Sequence, residues 1–158
     1  MVLERNKSCL MVVDVQERLA PVMSDPRRVL HNCGLLMRAA QRLEIPTLVT
    51  EQYPKGLGPT MVDLRPYIPE EGAMPKLHFS AAADEAILAK LQGLGRSQVV
   101  IAGIETHVCV LQTALDLMGS GRVDPSGWVQ SFPLDDGVTA FQRMLAAKGA
   151  DIKGVIEP

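Results

Sequence analysis

Residues 98–117 read QVVIAGIETHVCVLQTALDL, and this stretch decides the fold class. A β-type apolar run over 98–102 ends beside Gly103, a short turn follows, and an amphipathic helix is expected over about 108–118 with Cys109 at its opening. The same sequence of strand and helix extends outward from it. Upstream, SCLMVV at 8–13 is a continuous apolar run ending at Asp14, the pattern of a strand buried on both faces. Residues 26–43 place Val29, Leu30, Cys33, Leu36, Met37, Ala40 and Leu43 at three- and four-residue intervals. Asp25-Pro26 supplies an N-cap and a first-turn proline for that helix. IPTLVT at 45–50 reads as a second strand. A proline- and glycine-rich stretch over 51–75 follows, with a short helix expected at 60–67; an irregular segment of this length is usually functional. A brief strand is expected at 77–79 and a helix at 83–91.

Beyond Gly121 the pattern weakens to a strand at 128–134, a helix at 139–148 and a final strand at 151–156. The alternation implies an α/β fold: three αβα layers around a mostly parallel, Rossmann-like sheet of about five to six strands. No repeat or linker divides the chain, so residues 1–158 are expected to form one domain whose part after 121 is atypical.

Composition narrows the function classes. The 158 residues carry 16 basic and 18 acidic side chains, a formal net charge of −2. That balance argues against a dedicated nucleic-acid binder, whose affinity needs clustered positive charge. No apolar run has the length of a membrane span, and the first residues, MVLERNK, lack the apolar core of a secretory signal. Three widely spaced cysteines, Cys9, Cys33 and Cys109, suggest neither a disulfide framework nor a zinc site. A cytoplasmic protein is expected.

Two side chains fall where an open parallel sheet places its ligands, beyond the carboxyl ends of the strands where strand order reverses. Asp14 ends the first apolar run; a carboxylate there is a turn cap, one half of an ion pair, or catalytic. Cys109 stands at a helix N-terminus, where free N–H groups and the helix dipole stabilise a thiolate and hold an oxyanion. The competing role for a cysteine is burial in the core, and Cys9 and Cys33, on apolar faces, fit that role better. If the 8–13 strand neighbours the 98–102 strand across the reversal, Asp14 and Cys109 face one crevice.

Four ordered pieces, VVDVQERL (12–19), TEQYPKGLGPT (50–60), KLHFSA (76–81) and GIETHVCVLQTALDL (103–117), resemble the isochorismatase-like cysteine hydrolases, a superfamily that includes the nicotinamidases. The second and fourth are most similar to its metal-independent, isochorismatase-domain-containing subgroup. The resemblance implies an Asp–Lys–Cys triad at Asp14, Lys76 and Cys109, with the thiol as nucleophile, the carboxylate as base and then acid, and the lysine holding both in their working protonation states. It implies an oxyanion hole from the backbone N–H groups of Glu105 and Cys109, and a cis peptide between Ile104 and Glu105. Gln16, Tyr53 and His78 are the expected substrate-binding residues. Without the resemblance, Lys76 reads as a solvated lysine and His78 as a half-buried, hydrogen-bonded histidine.

The nicotinamidase metal motif Asp-x-His is replaced by EQYPK at 51–55, so no metal and no other cofactor is expected. True isochorismatases lack the cysteine, so Cys109 turns the expectation toward an amide or related C–N bond of a small molecule. In the last third, WVQSFPLDDGV at 128–138 only echoes the family strand, with Asp136-Gly137-Val138 in place of Asp-Ala-Val. A nicotinamidase-type metal-assisted amidase and a catalytically silent binding protein are the alternatives. The family usually forms homo-oligomers; neither nucleic acid nor membrane is expected as a partner.

Overall fold

The computed structural model describes residues 3–119, 129–133 and 153–157. The chain divides into two compact units, Met1–Leu117 and Met118–Pro158. The first is built on a four-stranded, all-parallel sheet of β1 (Ser8–Val13), β2 (Thr47–Gln52), β3 (Met74–Lys76) and β4 (Gln98–Gly103), in the order β3-β2-β1-β4. The helices are α1 (Pro26–Arg42), the single turn α2 (Pro54–Leu57), α3 (Glu85–Gly93) and α4 (Leu111–Gly119). In the second unit, β5 (Val129–Pro133) and β6 (Lys153–Glu157) pair in parallel as a separate two-stranded sheet. The α/β class with parallel strands is as expected; among the described residues the strands are divided four and two. The helix expected at 139–148 and the Asp136-Gly137-Val138 segment lie outside the described residues. Among those residues, no helix is long and apolar enough to cross a membrane.

All six residues of β1 are buried, because the strand lies at the middle of the sheet. Leu10 and Val12 face the core that α1 closes with Cys33, Met37 and Ala40, one stripe spaced four and three residues apart. Cys9, Met11 and Val13 point the other way and are equally buried. Asp25 caps α1 through its side chain, which accepts the Arg28 N–H at 3.1 Å. Cys9 and Cys33 are both buried, and desolvation raises the pKa of each thiol.

The strand expected at 77–79 lies instead at Met74–Lys76. Pro75 lacks a donor but is tolerated because β3 is the sheet's edge. Pairing ends at Gln52↔Lys76, after which the main chain bends back and presents the His78 and Phe79 carbonyls to the Lys76 ammonium. The helix expected at 60–67 contracts to a single 3-10 turn, Arg65–Tyr67.

Strand order reverses between β2 and β4, which flank β1 on opposite sides. There β4 passes so close to β1 that a Cβ on Gly103 would stand 2.1 Å from the Val13 carbonyl oxygen, and Gly103 has φ 129°. Only glycine fits both constraints. The Ile104 N–H then bonds the Val13 carbonyl at 2.9 Å, bringing the turn that carries Cys109 over the end of β1. Gly103→Ala is expected to destabilise the protein by at least about 3 kcal/mol, through overpacking plus backbone strain. Urea unfolding measures this, and a midpoint unchanged from wild type would refute it.

Candidate active site

The site is assembled from the carboxyl ends of β1, β2, β3 and β4. Asp14 leaves β1 in the left-handed region, φ 54°, a conformation that Asp tolerates better than most residues. Its own N–H bonds the Thr50 carbonyl at 3.1 Å, and Thr50 Oγ1 donates to Oδ1 at 2.7 Å. Lys76 Nζ lies 2.6 Å from Oδ2, and both side chains are 0% exposed. The contact is ionic but too poorly directed to be a hydrogen bond, so Oδ2 is a buried oxygen with no hydrogen-bond donor among the described residues.

Lys76 is held by more than its counter-ion. Its Nζ donates to Gln52 Oε1 at 2.7 Å and to the His78 and Phe79 carbonyls at 3.1 and 3.0 Å. The ammonium is therefore desolvated but fully surrounded by oxygen, the condition under which a buried ion persists.

Cys109 sits within a π-helical turn, Thr106–Val110, rather than opening an α-helix; the α-helical ladder begins at Leu111. The Val110 N–H reaches back to the Glu105 carbonyl at 3.2 Å, widening the turn as π segments near functional sites commonly do. The Ile104–Glu105 peptide is cis. Thr113, one turn further on, donates its hydroxyl to the Cys109 carbonyl at 2.6 Å and accepts the Ala81 N–H at 2.9 Å, which ties the Cys109 turn to the segment after β3.

The pKa of the Cys109 thiol is pushed up from 9.0 to about 11, first by burial and then by a hydrogen bond to the Asp14 carboxylate and that group's negative charge. Lys76 and a backbone hydrogen bond from Glu105 pull it down and are outweighed. A π turn stands where an α-helix N-terminus was expected, and burial with the neighbouring Asp14 carboxylate pushes the thiol pKa up.

The structure thus brings Asp14, Lys76 and Cys109 together. Tyr53 and His78 line a neighbouring cavity of about 460 Å³ with Lys55, Leu77 and Asp84, and Lys76 forms part of its wall. Tyr53, 51% exposed, takes φ 39°, and its ring lies so close over Gly56 that a Cβ there would come within 2.3 Å. Gln16 is elsewhere: it is 0% exposed, and its amide bonds main-chain groups of Gln52 and Gly58. Glu105 is half-buried, with its carboxylate 3.7 Å from His107 Nε2. Glu51 accepts from the Thr60 N–H and hydroxyl at 2.6 and 2.7 Å.

Sequence reasoning missed Thr50, Gln52 and Thr113. Thr50 and Gln52 are two apart at the carboxyl end of β2, so both point to one face, and Val13 pairs with Thr50. That alternation beside Asp14 was the available signal.

The family model of the isochorismatase domain matches residues 8–124. Isochorismatase domain-containing protein 2 of Danio rerio is 38% identical over 117 residues, 72% of this chain and 57% of its own length. Isochorismatase domain-containing protein 1 of the same fish is 41% identical over 110 residues, 68% of this chain and 38% of its own. This chain therefore spans about half the length of the curated relatives it matches. Among solved structures, a ribonuclease from Caenorhabditis elegans superposes with a TM-score of 0.70 at 32% identity, covering 98% of this chain and 80% of that one. The YcaC gene product of Escherichia coli, an octameric hydrolase of unknown specificity, gives 0.69 at 27% identity, covering 75% and 60%. With its parallel sheet and the residues at the strand-order reversal, the chain belongs to the isochorismatase domain family.

Proposed function

We propose that residues 1–158 act as one cysteine hydrolase domain that cleaves an amide or related C–N bond of a small molecule, in a cytoplasmic homo-oligomer. The observation that carries this reading is the fully buried Asp14–Lys76 pair at 2.6 Å, with the Cys109 thiol against the same carboxylate. An acid–base residue that shares its site with a fixed cation and a neutral thiol is arranged for proton transfer during reaction.

In the first half-reaction, Cys109 Sγ attacks the substrate carbonyl carbon as Asp14 takes the thiol proton. The N–H groups of Glu105 and Cys109 receive the developing oxyanion. The C–N bond breaks, Asp14 returns the proton to the departing nitrogen, and a thioester remains on Cys109. Water, deprotonated by Asp14, then attacks the thioester, and the proton passes back to the sulfur as the acid leaves. Lys76 keeps its charge throughout and balances whichever of Asp14 and Cys109 is anionic. The cavity lined by Tyr53 and His78 takes the substrate's remaining group.

The ribonuclease name of the Caenorhabditis protein is not carried over, because a net charge of −2 supplies no surplus of cations for a phosphate backbone. A panel of amides and carbamoyl compounds, assayed with wild type and Cys109→Ala, tests the reading. Hydrolysis by wild type is expected to vanish in the variant, with a thioester adduct on Cys109 seen by mass spectrometry. Turnover that survives Cys109→Ala sinks it. Stoichiometric zinc or iron in the active protein would favour the metal-assisted amidase instead, and inactivity of both proteins across the panel would favour a binding role.

A further inference from the structure

Gln52, the last residue of β2, holds Lys76 from the side opposite its role in the sheet. Its Oε1 accepts from Lys76 Nζ at 2.7 Å, nearly as short as the ion pair with Asp14. Its Nε2 donates to the Leu77 carbonyl at 2.9 Å. A carbonyl oxygen can only accept, so its partner must be the amide NH2 end, and this second bond fixes which way round the amide lies: oxygen toward the ammonium. The Gln52 main chain is clamped in turn. Its N–H donates to Gln16 Oε1 at 2.7 Å, and its carbonyl accepts from Gln16 Nε2 at 3.0 Å. That same Nε2 also reaches the Gly58 carbonyl at 2.6 Å. Gln16 is fully buried, and it braces the end of β2 against the turn that follows β1.

The geometry points to Gln52 as a positioning residue for the hydrolase, its amide oxygen holding the Lys76 ammonium against Asp14, with Gln16 as the brace. The inference rests on the hydrolase reading above. The residue type follows from electrostatics. A carboxylate at position 52 would share the lysine charge with Asp14, whereas an amide supplies an acceptor and leaves the whole positive charge to Asp14 and the Cys109 sulfur. An apolar side chain would leave Nζ one acceptor short in a buried place.

The test uses iodoacetamide on the full chain, with the adduct mapped to Cys109 by mass spectrometry. Gln52→Met matches the side chain in length and carries no charge, so it alters the thiol only through Lys76. Alkylation of Cys109 at pH 9 is expected to slow about three- to tenfold, the change in thiolate fraction that a shift of half to one pKa unit produces. Gln52→Glu keeps the acceptor and the shape but adds a negative charge. It is expected to fold and to slow the reaction further, and it carries the test if Gln52→Met fails to fold. Wild-type alkylation rates across the pH range in whichever variants fold would overturn the inference, even with a lowered melting temperature, since a purely structural role moves stability alone. Alkylation needs no turnover, so failure of the hydrolase reading is seen separately, in the Cys109→Ala comparison.

Discussion

Lys76→Met is expected to cost about 3–5 kcal/mol of stability, because it leaves the Asp14 carboxylate buried without its cation. Set against total stabilities of about 5–15 kcal/mol for single domains, that is a large share. The loss belongs to the uncompensated charge and not to the lysine as such. Asp14 is 0% exposed, and among the described residues Lys76 is the cation that pairs with it; the neutral Thr50 hydroxyl on Oδ1 does not replace that charge. The double variant Asp14→Asn, Lys76→Met is therefore expected to recover most of the lost stability while remaining inactive. Urea denaturation of wild type, both single variants and the double variant gives the coupling energy directly. Additive losses in that cycle would mean that the 2.6 Å contact carries no energetic weight, and the account of the site would fall with it.

The pH dependence of Cys109 alkylation is expected to span about three orders of magnitude. With a pKa near 11, the thiolate fraction rises about tenfold per pH unit from pH 7 to pH 10. A thiol activated at rest would react at a nearly constant rate over that interval. The rise is measured by timed iodoacetamide quenching, with peptide mapping to keep Cys9 and Cys33 apart from Cys109. A plateau already reached at pH 7 would show a preformed thiolate and remove the need for Asp14 as base. The same shift has a stability counterpart. The folded protein binds the Cys109 proton more tightly than the unfolded chain, so this contribution is fully present below about pH 9 and is lost as pH rises through about 11.

Much of the fold was legible because its signals are local. β1 was read to its exact bounds, since a strand buried on both faces leaves an unbroken apolar run. The start of α1 followed from Asp25-Pro26, and its buried stripe from the spacing of Cys33, Met37 and Ala40. The adjacency of β1 and β4, a condition for Asp14 and Cys109 to share one crevice, is present in the sheet. Residues 74–79 were harder, because Pro75 masks a strand that only an edge position permits. The signal that places the bend after Lys76 is a buried ammonium in need of carbonyl oxygens, a demand invisible in one dimension. The environment of the Cys109 thiol is hidden in the sequence for a related reason. Position at a turn can be read from sequence, whereas desolvation and the nearness of Asp14 exist only once four strand ends converge. Gln16 is expected among the substrate-binding residues, whereas its buried amide bonds main-chain partners in Gln52 and Gly58.

The His78 and Phe79 carbonyls that hold Lys76 have one more consequence. These two side chains, unlike their carbonyls, are exposed, Phe79 at 60%. The charge at the heart of the site is thus secured by atoms that every amino acid possesses, and the side chains at those positions are left free to vary. Exchanging either side chain therefore leaves in place the two carbonyls that hold the Lys76 ammonium against Asp14.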